Sequence, residues 1–301
     1  MQVSLGTGPG VYAVLAHICR SPLEAVRQFV ENAADAIQVS GKPDGRVEIH
    51  AASITRNGLV ISVDDNGAGM SADKLALVLR NIGHSEKLRL ALRGEKGVGI
   101  LAFALLCEEL HISSSTGTDA GSCLVLRRSG LERGLGDVLT PCPLHARTSC
   151  GTTVYLMGIL QEAMPSLNPK RLREYLGREF AADLRERRYS LVLETGGRWE
   201  AVEPLRLRGQ SVMSEALPLE VWGNAVADIR MLPVDDSPTG VNLYGRGGVR
   251  VCPLSAIEDL AGSAWVDRRL EGFVRCERLR LTADKTEIGR ASCRERVYVL
   301  V

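Results

Sequence analysis

The chain lacks the features that mark membrane, zinc-binding and strongly charged proteins. No apolar run in its 301 residues reaches the roughly 20 residues of a membrane-spanning helix, and no basic leader precedes an apolar core. None of the eight cysteines forms a Cys-x-x-Cys pair, which favours reduced thiols over a zinc site. The formal net charge of +1 indicates no polyanion partner. These absences predict a cytoplasmic protein that is neither secreted nor inserted in a membrane.

The length and composition fit two compact domains, since about 45% of the 301 residues are apolar. Pro165 and Pro169 flank a short polar stretch, so we expect a boundary near Met157 to Pro169. A first domain over 1–160 and a second over 165–287 follow from this boundary. In the second domain the sequence patterns predict a long amphipathic helix over 169–188 and strands near 190–194, 199–202, 240–244 and 248–251.

A helix with a polar stripe is predicted after Ser21. Ser21 and Glu24 have the spacing of a capping box, with Pro22 at the first helical position. The helix has an apolar face, which includes Val26, Val30 and Ile37. Its polar residues are separated by four, four and three positions and therefore face one side, where they either meet a common ligand or form a solvated face. They are Glu24, Gln28, Asn32 and Asp35.

A hairpin and a glycine-containing turn follow this helix. Apolar and β-branched runs over 47–54 and 59–63 flank Asn57-Gly58, a strong two-residue hairpin signal. The second strand leads into Asp65-Asn66-Gly67-Ala68-Gly69-Met70. Glycines let backbone approach a flat ligand, and a carboxylate at Asp65 can accept a hydrogen bond from an amino group of such a ligand. Asp64 is the alternative, but it points to the opposite face if the strand continues through it.

A second glycine-rich segment precedes an apolar run. After a helix predicted from Ser71 to about Arg80, the sequence has Gly94-x-x-Gly97-x-Gly99 and then a buried helix over 100–106. Glycine loops before helices present backbone N–H groups to phosphates, although a lone glycine run is often a simple loop. A strand near Gly151-Thr152 follows later.

The chain is similar to the GHKL (Bergerat-fold) group of ATP-binding proteins in three segments and their order, namely Glu31 to Ala36, Asp65 to Met70 and Gly94 to Gly99. This group includes type II topoisomerase ATPase subunits, ninety-kilodalton heat-shock chaperones, histidine kinases, and the MutL and MORC proteins. The resemblance implies an α+β protein with a two-layer α/β sandwich, helices on a mixed sheet, followed by a transducer-like α+β domain. It also implies ATP and Mg²⁺ as ligands.

The resemblance assigns roles to individual residues. Asn32 holds the magnesium, Asp65 reads adenine, and Thr152 supports Asp65. The segment around Gly97 is the lid that closes over ATP. A lysine of the transducer reaches the terminal phosphate in several relatives, and Lys285 is the candidate, with an ordinary surface lysine as the alternative. The implied nucleotide-binding residues are Asn32, Asp35, Asp65, Gly67, Gly69, Met70, Gly94, Gly97, Gly99 and Thr152.

One position departs from the family pattern. Members that hydrolyse ATP generally carry Glu four residues before the Asn, where it activates water. This chain has Gln28 there, and a carboxamide cannot take the proton. Glu24, which caps the helix, and Glu31, which is rotated about 100° around it, are weak substitutes. ATP binding is therefore better supported than hydrolysis.

These residues predict a chaperone-like Mg-ATP switch that closes as a homodimer, with an unidentified client. The alternative is a DNA-associated clamp ATPase of MutL or MORC type. Basic residues exceed acidic ones over 170–188 and 268–280, which suits a DNA backbone or a solvated helix with internal ion pairs. Histidine kinase-type phosphotransfer is less favoured, because only about twenty residues precede the ATP module and a phosphoacceptor helical hairpin needs more.

The last residues resemble the in-frame translation of a widely used sequencing adapter, over Glu287 to Val297. On this interpretation residues 288–301 are not native, the natural second domain continues beyond Lys285, and Cys293 has no functional meaning. The alternative is a natural tail that happens to match.

Overall fold

The computed structural model describes most of the chain, which divides into two compact units, Met1–Pro204 and Leu205–Val301. Each unit has its own apolar core. The described residues are 2–4, 19, 21–55, 58–80, 99–131, 135–142, 147–219, 223–233, 240–245, 248, 250–257, 260, 262–264, 267 and 269–276.

The first unit combines helices with a nine-stranded mixed sheet, which confirms the α+β prediction. Its helices are α1 (Pro22–Ser40), α2 (Ala72–Arg80), α3 (Arg128–Leu131), α4 (Pro169–Glu179) and α5 (Ala181–Arg185), with 3₁₀ segments at Gly99–Leu105 and Met164–Leu167. Its strands are β1 (Gln2–Ser4), β2 (Arg46–Thr55), β3 (Gly58–Asp65), β4 (Cys107–Ser115), β5 (Ser122–Arg127), β6 (Leu135–Leu139), β7 (Gly151–Ile159), β8 (Ser190–Thr195) and β9 (Arg198–Ala201). The strand order is β1-β6-β5-β4-β7-β3-β2-β8-β9, and of the described pairings within this sheet only β2 with β8 is parallel.

Helix α1 begins where its sequence predicts. The Ser21 hydroxyl accepts a hydrogen bond from the Glu24 amide at 3.3 Å, and Pro22 occupies the first turn. The helix ends at Gly41, whose φ of 65° lies in the left-handed region that glycine adopts readily. Its buried apolar side, including Phe29, packs against β2 and β3. The helix is therefore fixed in position directly over the central strands.

Cross-strand partners define which face of the sheet meets the helices. Val63 pairs with Ile49 on one side and Val154 on the other, and all three belong to the core of the first unit. Because side chains alternate along a strand, Asp65, two positions after Val63, lies on this same helix-covered face. Asp64 lies on the opposite face.

Two predicted helices differ from the structure. The predicted helix over 169–188 is split at Phe180, which is fully buried and has φ −104° and ψ 15°, so the chain turns there into the short α5. The apolar run after Gly99 is a 3₁₀ helix, with every residue over 100–104 buried. In both segments tertiary packing of apolar side chains overrides the regular periodicity of an α-helix.

The observed division between the units lies later than the expected boundary. Strand β8 pairs in parallel with β2, with Leu191 opposite Val47, so it extends the first sheet. Helix α4 packs against α1 and β8. The segment over 165–204, which we expected to open the second domain, is therefore part of the first compact unit.

The second unit contains a separate five-stranded sheet. Its strands are β10 (Gln210–Leu219), β11 (Gly223–Met231), β12 (Val241–Tyr244), β13 (Arg250–Pro253) and β14 (Leu270–Cys276), in the order β10-β11-β14-β12-β13, with a 3₁₀ turn at Leu254–Ala256. The predicted pairing of the strands near 240–244 and 248–251 is confirmed by β12 and β13. Its core includes Ile229, Leu243 and Val274.

Across the described residues, no helix combines the length and the apolar character needed to cross a membrane.

Candidate functional site

Asp65 and Thr152 lie side by side at one end of the first sheet. They are register partners on the adjacent strands β3 and β7, and both point to the helix-covered face. Asp65 is 4% exposed and Thr152 is 6% exposed. Sheet pairing thus joins two of the predicted site residues that are far apart in the sequence.

The Asp65 carboxyl group is buried and has few compensating contacts. Its Oδ1 accepts a hydrogen bond from the Gly67 amide at 2.8 Å. Desolvation raises its pKa to about 7, although the amides of Gly67 and Thr152 and the charge of Arg147 act in the opposite direction. A buried carboxyl group whose pKa is raised by desolvation is a candidate for ligand recognition.

Ser114 connects three parts of this site and was not identified from the sequence. Its Oγ accepts a hydrogen bond from the Met70 amide at 2.8 Å and lies 2.8 Å from the Thr152 hydroxyl. It also contacts the Gly151 carbonyl at 3.1 Å. Ser114 stands opposite Thr152 in the β4 and β7 pairing, and it is fully buried. No local motif marks this serine, because its partners come together only through the sheet.

The glycines after Asp65 are required by contacts with protein backbone. A Cβ on Gly67 would lie 2.6 Å from the backbone carbon of Ala36 in α1. Gly69 has φ 65°, and a Cβ there would lie 1.9 Å from the Ser115 carbonyl oxygen. The turn is therefore packed closely between α1 and the end of β4. The glycines are thus needed for this packing as well as for the close approach of a ligand that the sequence led us to expect.

The polar stripe of α1 runs up to this turn. The Ala68 amide donates a hydrogen bond to the Ala36 carbonyl at 3.2 Å. Asn32 is half-buried and lies one turn before Ala36 on the same side of the helix. Asp35 is 2% exposed, and Met70 is half-buried. The helix contact thus places the stripe beside the strand end that carries Asp65.

Gln28 contacts the end of the glycine-rich segment. A Cβ on Gly99 would lie 2.7 Å from the Gln28 Oε1 atom, so any larger residue at this position would require the Gln28 carboxamide to move. Gln28 is 7% exposed. Of the predicted lid glycines, Gly99 is the one within the described residues. Gly94, Gly97, Lys285 and the adapter-like tail lie outside them.

Glu31, one of the weak substitutes for the general base, belongs to a buried ion-pair group. The Arg27 Nη1 atom lies 3.6 Å from Glu31 Oε1 and 3.5 Å from Glu179 Oε2 of helix α4. Burial alone would lower the pKa of Arg27, but Glu31 and the nearby acidic groups outweigh this effect and raise it. Arg27 therefore connects α1 to Glu179 of α4 and also holds Glu31 within α1, whereas Glu24 is half-buried near the helix cap.

The opposite face of the strand end carries a second polar group. The guanidinium of Arg147 forms an ion pair with Asp64 and donates to the Thr153 hydroxyl at 2.6 Å. Asp64 and Thr153 are register partners on β3 and β7. Asp64 is therefore engaged by Arg147 on the face away from the helices.

Several arginines of the basic segment over 170–188 have acidic partners. Arg173 pairs with Glu200, and Arg188 contacts Asp183 and Glu186. These contacts match the interpretation of a solvated segment with ion pairs.

Residues 20–150 match the family model described as histidine kinase-, DNA gyrase B-, and HSP90-like ATPase. A search of the curated proteins found no match. The match includes Asn32, Asp65 and Gly99 and ends just before Thr152. It supports the GHKL family for this segment, and GHKL ATPase domains bind ATP, usually with Mg²⁺.

Proposed function

We propose that this protein is a Mg-ATP-binding conformational switch with slow ATP hydrolysis. The observation that carries the proposal is the pairing of Asp65 with Thr152 on the helix-covered face of the sheet. The turn that follows Asp65 is bonded to the same strand end through the Met70 amide and the Ser114 hydroxyl. The family match over 20–150 supports the same nucleotide.

Adenine recognition follows from the donors and acceptors of this strand end. An ionised Asp65 accepts a hydrogen bond from the exocyclic amino group of adenine, and the Thr152 hydroxyl supports the carboxylate. Guanine presents a carbonyl oxygen at that position, which an ionised carboxylate repels. The proposal therefore includes preference for adenine over guanine nucleotides.

Asn32 is the residue we assign to Mg²⁺. Its neutral amide oxygen suits a hard cation that keeps several of its waters and is also held by phosphate oxygens. When bound, the cation neutralises part of the triphosphate charge. Gly99, at the end of the predicted lid, lies against Gln28. Gln28 is one helical turn before Asn32, so the proposed magnesium site and the end of the lid adjoin neighbouring turns of α1.

Slow hydrolysis is proposed because of Gln28. A carboxamide orients water but accepts no proton at neutral pH. Glu31 is held in the buried group with Arg27, so it is a poor replacement for the base. A switch of this kind remains closed for long periods, and we propose that the second unit transmits closure in a chaperone-like homodimer.

Isothermal titration calorimetry with Mg-ATP tests the nucleotide site. We expect Asp65→Asn to weaken ATP binding by about 1.5–3 kcal/mol, because a charge-assisted hydrogen bond is lost. Asn32→Ala should reduce the affinity for Mg-ATP more than that for ATP in EDTA. Equal ATP affinity for the wild type and both variants would contradict this site.

Steady-state phosphate release tests the hydrolysis proposal. We expect Gln28→Glu to raise turnover about a hundredfold or more, because general-base catalysis has this magnitude. Glu24→Gln is the control and should not change turnover. Rapid wild-type turnover that collapses in Glu24→Gln or Glu31→Gln, with no gain in Gln28→Glu, would show that another residue is the base.

A further inference from the structure

Arg147 makes a larger set of contacts than an ordinary surface arginine. Its side chain is only 12% exposed. Besides its contacts with Asp64 and Thr153, its Nη2 donates to the Asp65 carbonyl at 2.8 Å and contacts the Cys150 carbonyl at 3.4 Å. Its Nε donates to the Ser149 carbonyl at 3.0 Å. One guanidinium thus joins the end of β3 to the segment that leads into β7.

The backbone of the segment from Ser149 to Gly151 packs closely against the Arg147 guanidinium. Gly151 has φ 135°, and a Cβ there would lie 2.1 Å from the Asp65 carbonyl oxygen and 2.5 Å from Arg147 Nη2. The Cys150 thiol donates to the Gly67 carbonyl at 3.1 Å. The backbone of Asp65, whose side chain faces the helices, and the segment directly before Thr152 are therefore held from the other side of the sheet.

We propose that Arg147 is a positioning residue for adenine recognition, acting through the backbone of Asp65 and through its charge behind that carboxylate. This inference rests on the proposed ATP site. Arg147 touches no nucleotide, since it lies on the far face of the sheet. It sets the spacing between β3 and β7 and therefore the distance between the Asp65 carboxylate and the Thr152 hydroxyl.

The charge of Arg147 also acts on Asp65. The charged groups nearest this carboxylate are Arg147, from the segment before β7, and Asp64, from the same strand. Helix α1 contributes Asp35 beside the Ala36 contact. Among the main influences on Asp65, Arg147 is the positively charged one, and it favours ionisation. Its removal should make the adenine-accepting form of Asp65 rarer at neutral pH.

The test is calorimetric ATP affinity between pH 6 and pH 9 for the wild type and four variants. Arg147→Met and Arg147→Gln remove the charge, Arg147→Lys retains it, and Arg127→Met is the control. Arg127 pairs with two carboxylates, Glu109 and Asp137, elsewhere in the same sheet. Thermal melting of each variant establishes which of them are folded.

We expect the wild-type affinity to rise with pH around a midpoint near 7. In Arg147→Met the midpoint should move to higher pH, and a shift of one pH unit would make binding at pH 7 about fivefold weaker than that of the wild type. Arg147→Lys should keep the midpoint near that of the wild type while losing part of the affinity at every pH. Arg127→Met should match the wild type.

If Arg147→Met does not fold, Arg147→Gln provides the same comparison. A folded neutral variant with the affinity and midpoint of the wild type would overturn the inference, even if its melting temperature were lower. Absence of ATP binding by the wild type would instead contradict the proposed function, so the two failures are distinguishable.

Discussion

The two aspartates at the end of β3 have the same side chain and different surroundings. Asp64 faces away from the helices and forms an ion pair with Arg147. Asp65 faces the helix layer, where desolvation raises its pKa to about 7. Moving by one residue along the strand changes the face of the sheet, and so separates the Asp64 ion pair from the residue that we propose recognises the ligand. The comparison teaches that the face of the sheet, and not the residue type, assigns the role.

The largest effect that tests this comparison concerns the pH dependence of stability. The folded pKa of Asp65 is about 7 and its ordinary value is 3.8, so the group contributes stability that is complete below about pH 4 and lost as pH rises through 7. The loss across this window is up to about 4 kcal/mol.

Urea denaturation of the wild type and Asp65→Asn at pH 5 and pH 8 measures this effect. Because asparagine does not ionise, we expect Asp65→Asn to gain stability relative to the wild type as the pH rises, while it loses ATP affinity. Asp64→Asn is the matched control on the other face and should not show this gain. An equal pH response in both variants would remove the distinction between the two faces.

A second, smaller effect is expected at the turn after Asp65. Gly69→Ala combines a positive φ with a Cβ that would lie 1.9 Å from the Ser115 carbonyl oxygen, so we expect a loss of about 3 kcal/mol in unfolding free energy. Gly196→Ala is the control, because Gly196 has φ 58° and nothing within 4 Å of the added carbon. We expect that control to cost about 1 kcal/mol. Similar losses in both would mean that close packing at Gly69 contributes little.

The smallest effect concerns Ser114, whose hydroxyl contacts the Met70 amide and the Thr152 hydroxyl on the helix-covered face of the sheet. Ser114→Ala leaves the Met70 amide and the Thr152 hydroxyl without this partner, so we expect about 1–2 kcal/mol lower stability and weaker ATP binding. Ser122→Ala is the control, since Ser122 is also buried on β5 and its Oγ contacts Thr140 Oγ1 instead. An ATP affinity unchanged by Ser114→Ala and reduced by Ser122→Ala would contradict the assignment of Ser114.

The sequence predicted most of the elements near the site. The capping box at Ser21, the strands of the hairpin that contains Asp65, and the strand at Thr152 are all confirmed. Each depends on residues a few positions apart, because helix caps and strand alternation are local properties. The helix predicted over 169–188 is interrupted at the buried Phe180, and the run over 100–106, where every residue is apolar and no period can be read, is mostly a 3₁₀ helix.

The position of strand β8 explains why the two units divide later along the chain than the sequence led us to expect. The prolines near Pro165 indicated a break in the chain, and the chain does turn there, into a 3₁₀ segment and helix α4. Strand β8 nevertheless returns to the first sheet beside β2. A parallel pairing over such a separation has no local signature, since it depends on which edge of the sheet is open.

The chemical groups of the proposed site and their order along the chain can be read from the residues alone, with an asparagine and a glutamine on one side of a helix and an aspartate at a glycine-rich turn. The three-dimensional fold was needed to show that Asp65, and not Asp64, faces the helices. It also decided that Ser114 joins Met70 across 44 residues, and that Arg147 reaches Asp65 across 82. Side-chain periodicity is local, whereas hydrogen bonds between distant segments depend on strand register, which is set by the whole sheet.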